Sequence, residues 1–367
     1  MSCATQDSNT LEQTKEVISF DLKFRPRPIF HGVLEEKQEN IYYFSDVVSY
    51  KEVVFFNSKY EKIKTISLKE VAKEDNIGGI KPINSDSILV LSLHTSNIYL
   101  VNQNGKILKK IILKSLIDVP IEVNAPIAFI DGDVNSLLLA NSPPLDSNFN
   151  SSDMINSMKL SWNESNKRGY LIKVENALKD PKLSFCVKGF YSNFAKDDYL
   201  YTESPHYLSL KNNIFILSCY SDSLYISERN SCTVEKKIPV KSKFTQLPTE
   251  AVSINKDNVA NSTHNVHLQT FGYVHDICYD EYRNVYYLSI VHKVPINATK
   301  EERGGSRAWS VLVLNEKFEA LDEVKFEPKQ FNHGFIIPVK KGILISNYKD
   351  RDSDDISTKF TLFKVNL

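Results

Sequence analysis

The chain is poor in the residues and patterns on which several function classes depend. It has 12 Gly in 367 residues, too few for a Gly-rich linker protein. Its 45 Lys and Arg are balanced by 45 Asp and Glu, so the net charge of +0 leaves no basic footprint for nucleic acid or an anionic membrane. No apolar run reaches the roughly 18 residues that a membrane-spanning helix needs. The cysteines, Cys3, Cys186, Cys219, Cys232 and Cys278, form no CxxC pair. Cys186, Cys219 and Cys278 fall inside apolar runs and read as small buried thiols. GxSxG, P-loop and GxGxxG patterns are all missing, so no familiar nucleophile or phosphate cradle is in view.

What is present is sheet-forming material, with 18 Tyr, 20 Phe and many Val and Ile. Residues 80–113 hold four short apolar runs divided by turn residues. Asn104-Gly105 between the last two reads as a two-residue hairpin, both positions tolerating positive φ. The final run alternates apolar and charged residues, as a strand with one wet face does. The same four-run unit recurs along the chain. The sixth unit has only three runs, at residues 334–339, 343–347 and 359–365. An isolated alternating strand at residues 15–22 fills that vacancy. Four-stranded units of about 40–45 residues are the signature of a β-propeller. The expected fold is therefore all-β, a six-bladed propeller of antiparallel blades whose N-terminal strand closes the last blade and removes the free edge. Residues 1–14 read as a flexible tether and 15–367 as one domain. A pair of β-sandwiches is the competing reading, and it does not account for complementary incomplete units at the two ends.

Strands alternate direction within each blade, so first–second and third–fourth turns share one face and the other connections share the opposite face. The short turns all fall on the first face. The long segments, 141–168, 190–205, 241–272, 295–307 and 349–358, all fall on the second. Long loops collected on one face point to function there. Four innermost strands carry a histidine at or beside their start: His31, His206, His275 and His333. Converging imidazoles suit a transition metal, acid–base work near neutral pH, or hydrogen bonding in a polar channel. Asp276 stands ready to orient the His275 ring or to cap its strand. In the loops, Arg303 and Arg307 flank Gly304-Gly305 and match the fork geometry of carboxylate or phosphate, while Trp162 offers a stacking surface. The acids from Asp350 to Asp355 alternate as in a calcium loop, but Gly is missing at the sixth position and Thr361 replaces the Glu of the twelfth. That segment reads as a charged turn. No catalytic residue is assigned.

The start Met1-Ser2-Cys3 with its polar tether has the shape that a trimmed lipoprotein signal leaves. Trp-Asp strand ends, Tyr-Trp-Thr-Asp motifs and the Ser-x-Asp-x-Gly-x-Thr-Trp boxes of sialidases are absent. Taking the Ser2-Cys3 start, the closing strand at 17–22 and hairpins such as residues 97–106, the chain resembles a family of six-bladed propeller lipoproteins of unknown function from Bacteroides-like bacteria. The resemblance spans residues 15–367. It implies an exported periplasmic or surface protein of the cell envelope, with a membrane tether through lipidated Cys3, and it transfers no catalytic residue; a monomer is expected. Two functions follow as expectations. The favoured one is a non-enzymatic module that binds a protein, peptide or glycan, without nucleic acid, on the long-loop face at the central channel. The alternative is a metal-dependent hydrolase or lactonase with a divalent metal in a His-lined mouth. Lactonase propellers place Glu, Asp and Asn where this chain has mostly His or apolar residues, which weighs against the enzyme.

Overall fold

The computed structural model describes residues 10–22, 30–47, 49–92, 95, 97–113, 127–130, 133–140, 167, 169–190, 206–210, 213–218, 221–228, 233–249, 269–303, 307–348 and 358–367. They form six four-stranded antiparallel sheets arranged as a six-bladed β-propeller. The closing strand is β1 (Leu11–Phe20). Blade 1 runs β2 (Phe30–Glu36), β3 (Glu39–Asp46), β4 (Glu52–Phe56) and β5 (Lys62–Ser67). A short helix, α1 (Lys69–Glu74), which the sequence pattern did not suggest, leads to blade 2. Blade 2 is β6 (Ile77–Asn84), β7 (Ser87–Ser92), β8 (Asn97–Asn102) and β9 (Ile107–Ile112). Blade 3 is β10 (Ala128–Ile130), β11 (Asp133–Ala140), β12 (Leu171–Glu175) and β13 (Lys182–Cys186). Blade 4 is β14 (His206–Leu210), β15 (Asn213–Leu217), β16 (Ser223–Glu228) and β17 (Val234–Pro239). Blade 5 is β18 (Tyr273–Asp280), β19 (Val285–Val291), β20 (Trp309–Leu314) and β21 (Ala320–Phe326), with a one-turn helix α2 (Lys300–Arg303) between its middle strands. Blade 6 is β22 (Phe331–Val339), β23 (Gly342–Asn347) and β24 (Thr358–Val365).

Blade 6 takes β1 as its outer strand, paired from Leu11 opposite Val365 to Phe20 opposite Thr358 with a register shift between Gln13 and Val17. The expected closure by the N-terminal strand is therefore present. That strand starts at Leu11 rather than at residue 15, and Thr10 extends the pairing by accepting a hydrogen bond from the Asn366 amide at 2.9 Å. Residues 1–9, including Cys3, lie outside the described residues.

The middle strands explain why the apolar runs are continuous. A blade packs on a neighbour through both faces, so β19 and β20 are buried at every position. Six hydrophobic clusters result, one between each pair of consecutive blades around the ring. The seam that closes the ring is among them. There Phe20 of β1 is fully buried and meets Phe44 and Phe56 of blade 1 at ring distances of 4.7 and 5.0 Å. Burying such a ring contributes about 2–3 kcal/mol, so closure is a packing effect as well as a hydrogen-bonding one. Outer strands face water on one side and alternate, as β9 does.

The third–fourth turns of blades 1, 2 and 5 share a local device. Asn57, Asn102 and Asn315 each accept two backbone N–H groups, two and four residues on, through the side-chain oxygen. The residue three positions after each Asn is left-handed: Tyr60 at φ 67°, Gly105 at φ 75° and Phe318 at φ 65°. Gly105 is required, because a Cβ there would lie 2.4 Å from the Ser67 carbonyl oxygen. The turn is thus a wider loop with a bulge and one left-handed residue, not the two-residue hairpin that Asn104-Gly105 suggested.

Candidate ligand site at the channel mouth

All six innermost strands border one central channel. The two mouths are finished differently. At the mouth formed by the short first–second turns, neighbouring blades are stitched together. Arg283 of blade 5 donates from Nη1 to the Val339 carbonyl at 3.1 Å and from Nη2 to the Lys340 carbonyl at 2.9 Å, both in blade 6. The same guanidinium pairs with fully buried Asp280 at 2.8 Å. Asp280 also accepts from the Tyr287 hydroxyl at 2.8 Å. Glu36 of blade 1 accepts the Ser85 amide of blade 2 at 3.0 Å, and the Asn40 amide group donates to the Tyr282 hydroxyl at 2.5 Å.

The opposite mouth carries the histidines. His206 is the first residue of β14, while His275 and His333 lie near the start of β18 and β22. The His275 ring centroid is 4.5 Å from that of His333 and 5.9 Å from that of His206, so three imidazoles from blades 4, 5 and 6 form a continuous arc. Backbone irregularities place two of them, His275 and His333. Val274 pairs with Ile290 and Asp276 with Ser289, which leaves His275 as the extra residue of a bulge. The pairing of β22 lapses between Phe331 and Ile336, and His333 sits in that gap. Gly334 admits the His275 ring: a Cβ there would stand 3.0 Å from His275 Nε2.

His31 continues the arc only indirectly. Its ring contacts Phe335 of blade 6 at 4.6 Å, two residues beyond His333. Burial lowers its pKa to about 4, so it is a neutral ring in the folded protein near neutral pH. Asp276 follows His275 and accepts the Ile277 amide at 2.7 Å. Burial raises its pKa, and the charge of His206 pulls the other way. Two residues on, the Cys278 thiol is free, and burial followed by the charges of Asp276 and Asp280 pushes its pKa well up, so it is not a thiolate nucleophile. Cys186 differs from the thiol expected there. It is fully buried and disulfide-bonded.

The loop candidates do not join this arc. Arg307 is buried beneath the mouth, and its guanidinium is held by main-chain carbonyls. Nε donates to His292 at 2.9 Å, Nη1 to Gln269 at 2.9 Å, and Nη2 to Thr270, Phe271 and His292. It also lies over the Tyr273 ring at 5.7 Å. This arrangement ties 269–271 to the connection that follows β19 instead of presenting a fork to solvent. Arg303 ends α2, half-buried, with its Nε unpartnered among the described residues. Trp162 and most of the longest connections lie outside the described residues. Among the described residues, no group of three or more His, Cys, Asp or Glu is arranged to hold a metal ion.

One channel group escaped the sequence reading. Lys81 sits in the innermost strand β6, opposite Leu89, with its ammonium 5.3 Å from the centre of the Phe129 ring. Burial lowers its pKa, and no carboxylate among the described residues pairs with it. The available signal was a lone Lys in a short inner-strand run that is otherwise apolar or small.

No family model matches the chain, and no curated protein matches it. Solved structures do. A member of the DUF4221 family from Bacteroides vulgatus aligns over 97% of this chain and 98% of its own, with a TM-score of 0.75 and 19% sequence identity. A Bacteroides fragilis protein described as a candidate for export aligns over 97% and 98%, with a TM-score of 0.51 and 10% identity. A protein of unknown function from Bacteroides caccae aligns over 80% and 81%, with a TM-score of 0.41 and 11% identity. At these identities the likeness is one of fold. It agrees with the resemblance to six-bladed Bacteroides propellers of unknown function that the blade pattern suggested.

Proposed function

We propose that the chain is a non-enzymatic binding module of the cell envelope that takes a protein, peptide or glycan at the histidine-bearing mouth. The observation behind this is the arc of His206, His275 and His333 on the face of the long connections, with His275 and His333 carried at irregularities of β18 and β22. Bulges are over-represented beside functional sites, where they re-aim a side chain, and two of the three imidazoles stand at such irregularities. Imidazoles hydrogen-bond as donor and acceptor and change charge near neutral pH, which suits a polar ligand. The envelope assignment is supported by the Cys186 disulfide, a bond that persists mainly in oxidising compartments. The B. fragilis likeness points the same way. A tether through lipidated Cys3 and a monomeric state complete the proposal.

The test is a thermal-shift and calorimetric screen of oligosaccharides and peptides against the protein and its His206→Ala/His275→Ala variant. Ligands whose binding is lost in a variant of unchanged melting temperature support the reading. Ligands that bind both forms equally place the site elsewhere. Elemental analysis of the same two preparations addresses the metal-dependent hydrolase: a stoichiometric metal present in the first and lost in the second would replace the binding reading with that one.

A further inference from the structure

Lys81 poses a problem that the binding reading does not solve. An ammonium partly withdrawn from water is costly unless an anion or strong acceptors stand beside it. Lys81 has an aromatic face beneath it and no carboxylate among the described residues. Its side chain keeps intermediate exposure although β6 is an innermost strand, so the space open to it is the channel. Blade 2 stands across a six-membered ring from blade 5, which carries His275. Lys81 lies four residues past Ile77, the start of its strand, roughly 10 Å further in than the histidine arc at a strand rise of about 3.3 Å per residue. A second polar group is orphaned at similar depth. Ser209 Oγ, on innermost strand β14 opposite Ile214, is buried without a hydrogen-bond partner. The described acids of the innermost strands are Glu35, Glu36, Asp276 and Asp280; Asp280 pairs with Arg283, Glu36 accepts the Ser85 amide, and none of the four forms an ion pair with Lys81.

We infer that the channel of this propeller binds an oxyanion, a carboxylate or phosphate group of a small ligand, whose charge is taken by Lys81 after the group has passed the His206–His275–His333 arc. This deepens the reading above, resting on ligand admission at that mouth and adding the ligand's charge. A carboxylate or phosphate oxygen would give the ammonium the partner it lacks, and its apolar remainder would lie on the Phe129 ring. Channel entry also selects for size, since a folded protein cannot reach a lysine at that depth. An acidic sugar or a phosphorylated small molecule can.

The experiment uses the full chain with two probes, inorganic phosphate and D-glucuronate, and the variants Lys81→Met and Lys81→Gln, the second serving if the first does not fold. Without ligand, the variant is expected to melt slightly higher than wild type, because a partly desolvated charge without a counter-charge has been removed. With ligand, the wild-type melting temperature is expected to rise, and the variant's affinity to fall by about tenfold or more. A response to phosphate alone identifies a phosphoryl ligand, and a response to glucuronate alone a sugar acid. The inference is overturned if neither probe binds, if binding is unchanged in the variant, or if the variant without ligand is less stable than wild type. Should neutral glycans or peptides still bind in a His206-dependent way, the anion inference fails while the binding module stands.

Discussion

At one mouth of the channel Arg283 reaches from blade 5 to the carbonyls of blade 6, and at the other His275 leans on Gly334 across the same two blades. Both contacts join the same two blades. They differ in what they leave over. The arginine is matched by a buried carboxylate and by carbonyls, so its hydrogen-bonding capacity is directed inward. The histidines meet mainly as rings, edge to face at 84° for His275 and His333. A mouth stitched through a buried ion pair resists opening more than one whose blades meet through aromatic ring contacts. Each of the following changes would break or sharpen that contrast.

The largest effect is expected at the stitched mouth. Arg283→Met strips Asp280 of its cation while the carboxylate stays fully buried. Removing one member of a buried pair costs about 3–5 kcal/mol. For a chain of 367 residues, with an unfolding entropy of roughly 0.8 kcal/mol/K, that is a fall in Tm of about 5 °C, readable by calorimetry. His206→Gln at the other mouth should move Tm by less than about 1 °C, since its side chain is exposed. Equal losses would erase the distinction between the mouths.

His31 supplies the next effect, and its sign is fixed by its environment. Its folded pKa of about 4 lies below the unfolded value of 6.5. Above pH 6.5 neither state holds the proton, and the group does not influence stability. As pH falls from 6.5 towards 4, the unfolded chain binds a proton that the folded one refuses, so stability falls. The full loss is on the order of 3 kcal/mol below pH 4. His31→Phe keeps a ring against Phe335 and removes the titration. The variant's Tm should therefore gain on that of wild type as pH is lowered from 7 to 4.5. Parallel curves would mean that the His31 ring is not secluded from protons.

Much of this was legible in the chain itself. Incomplete units at the two ends required a shared blade, and β1 does pair with β24. Hydrophobic runs without alternation marked the middle strands, because both of their faces are buried. The histidine arc was legible too, since strand order alone puts His206, His275 and His333 on adjacent inner strands. Arg307 was not, because a guanidinium that satisfies carbonyls has the same sequence signature as one that binds phosphate. Lys81 was missed for the reverse reason: a single Lys in an inner strand looks like a solvated rim residue until the strand is placed at the axis. The Asn104-Gly105 turn was misjudged because its anchor, Asn102, lies outside the dipeptide that carries the signal.

A subtler change tests how the arc is held. Gly334→Ala places a methyl about 3.0 Å from His275 Nε2, a contact the ring relieves by shifting a few tenths of an ångström. The expected stability cost is about 1 kcal/mol, because an inner-strand bulge has room to adjust. The imidazole resonances of His275 and His333 should move together, with those of His31 unchanged. Movement of His275 alone would show that the two rings are neighbours without being coupled.

The smallest effect is expected back at the stitched mouth. Tyr282→Phe removes the hydroxyl that accepts from Asn40 across the turns of blades 5 and 1. Tyr282 is 39% exposed, so water replaces the lost partner on both sides and the expected cost is below about 1 kcal/mol. That small value is informative beside the Arg283 result. If Tyr282→Phe cost as much as Arg283→Met, the Asn40 bridge would be a principal latch of this mouth and not a solvent-exchangeable one. The strength of the stitching would then lie in the span between blades 5 and 1 instead of in the buried Asp280–Arg283 pair. Chemical denaturation resolves the two, because a latch that spans the ring should also change the slope of the transition, whereas a local pair should shift only its midpoint.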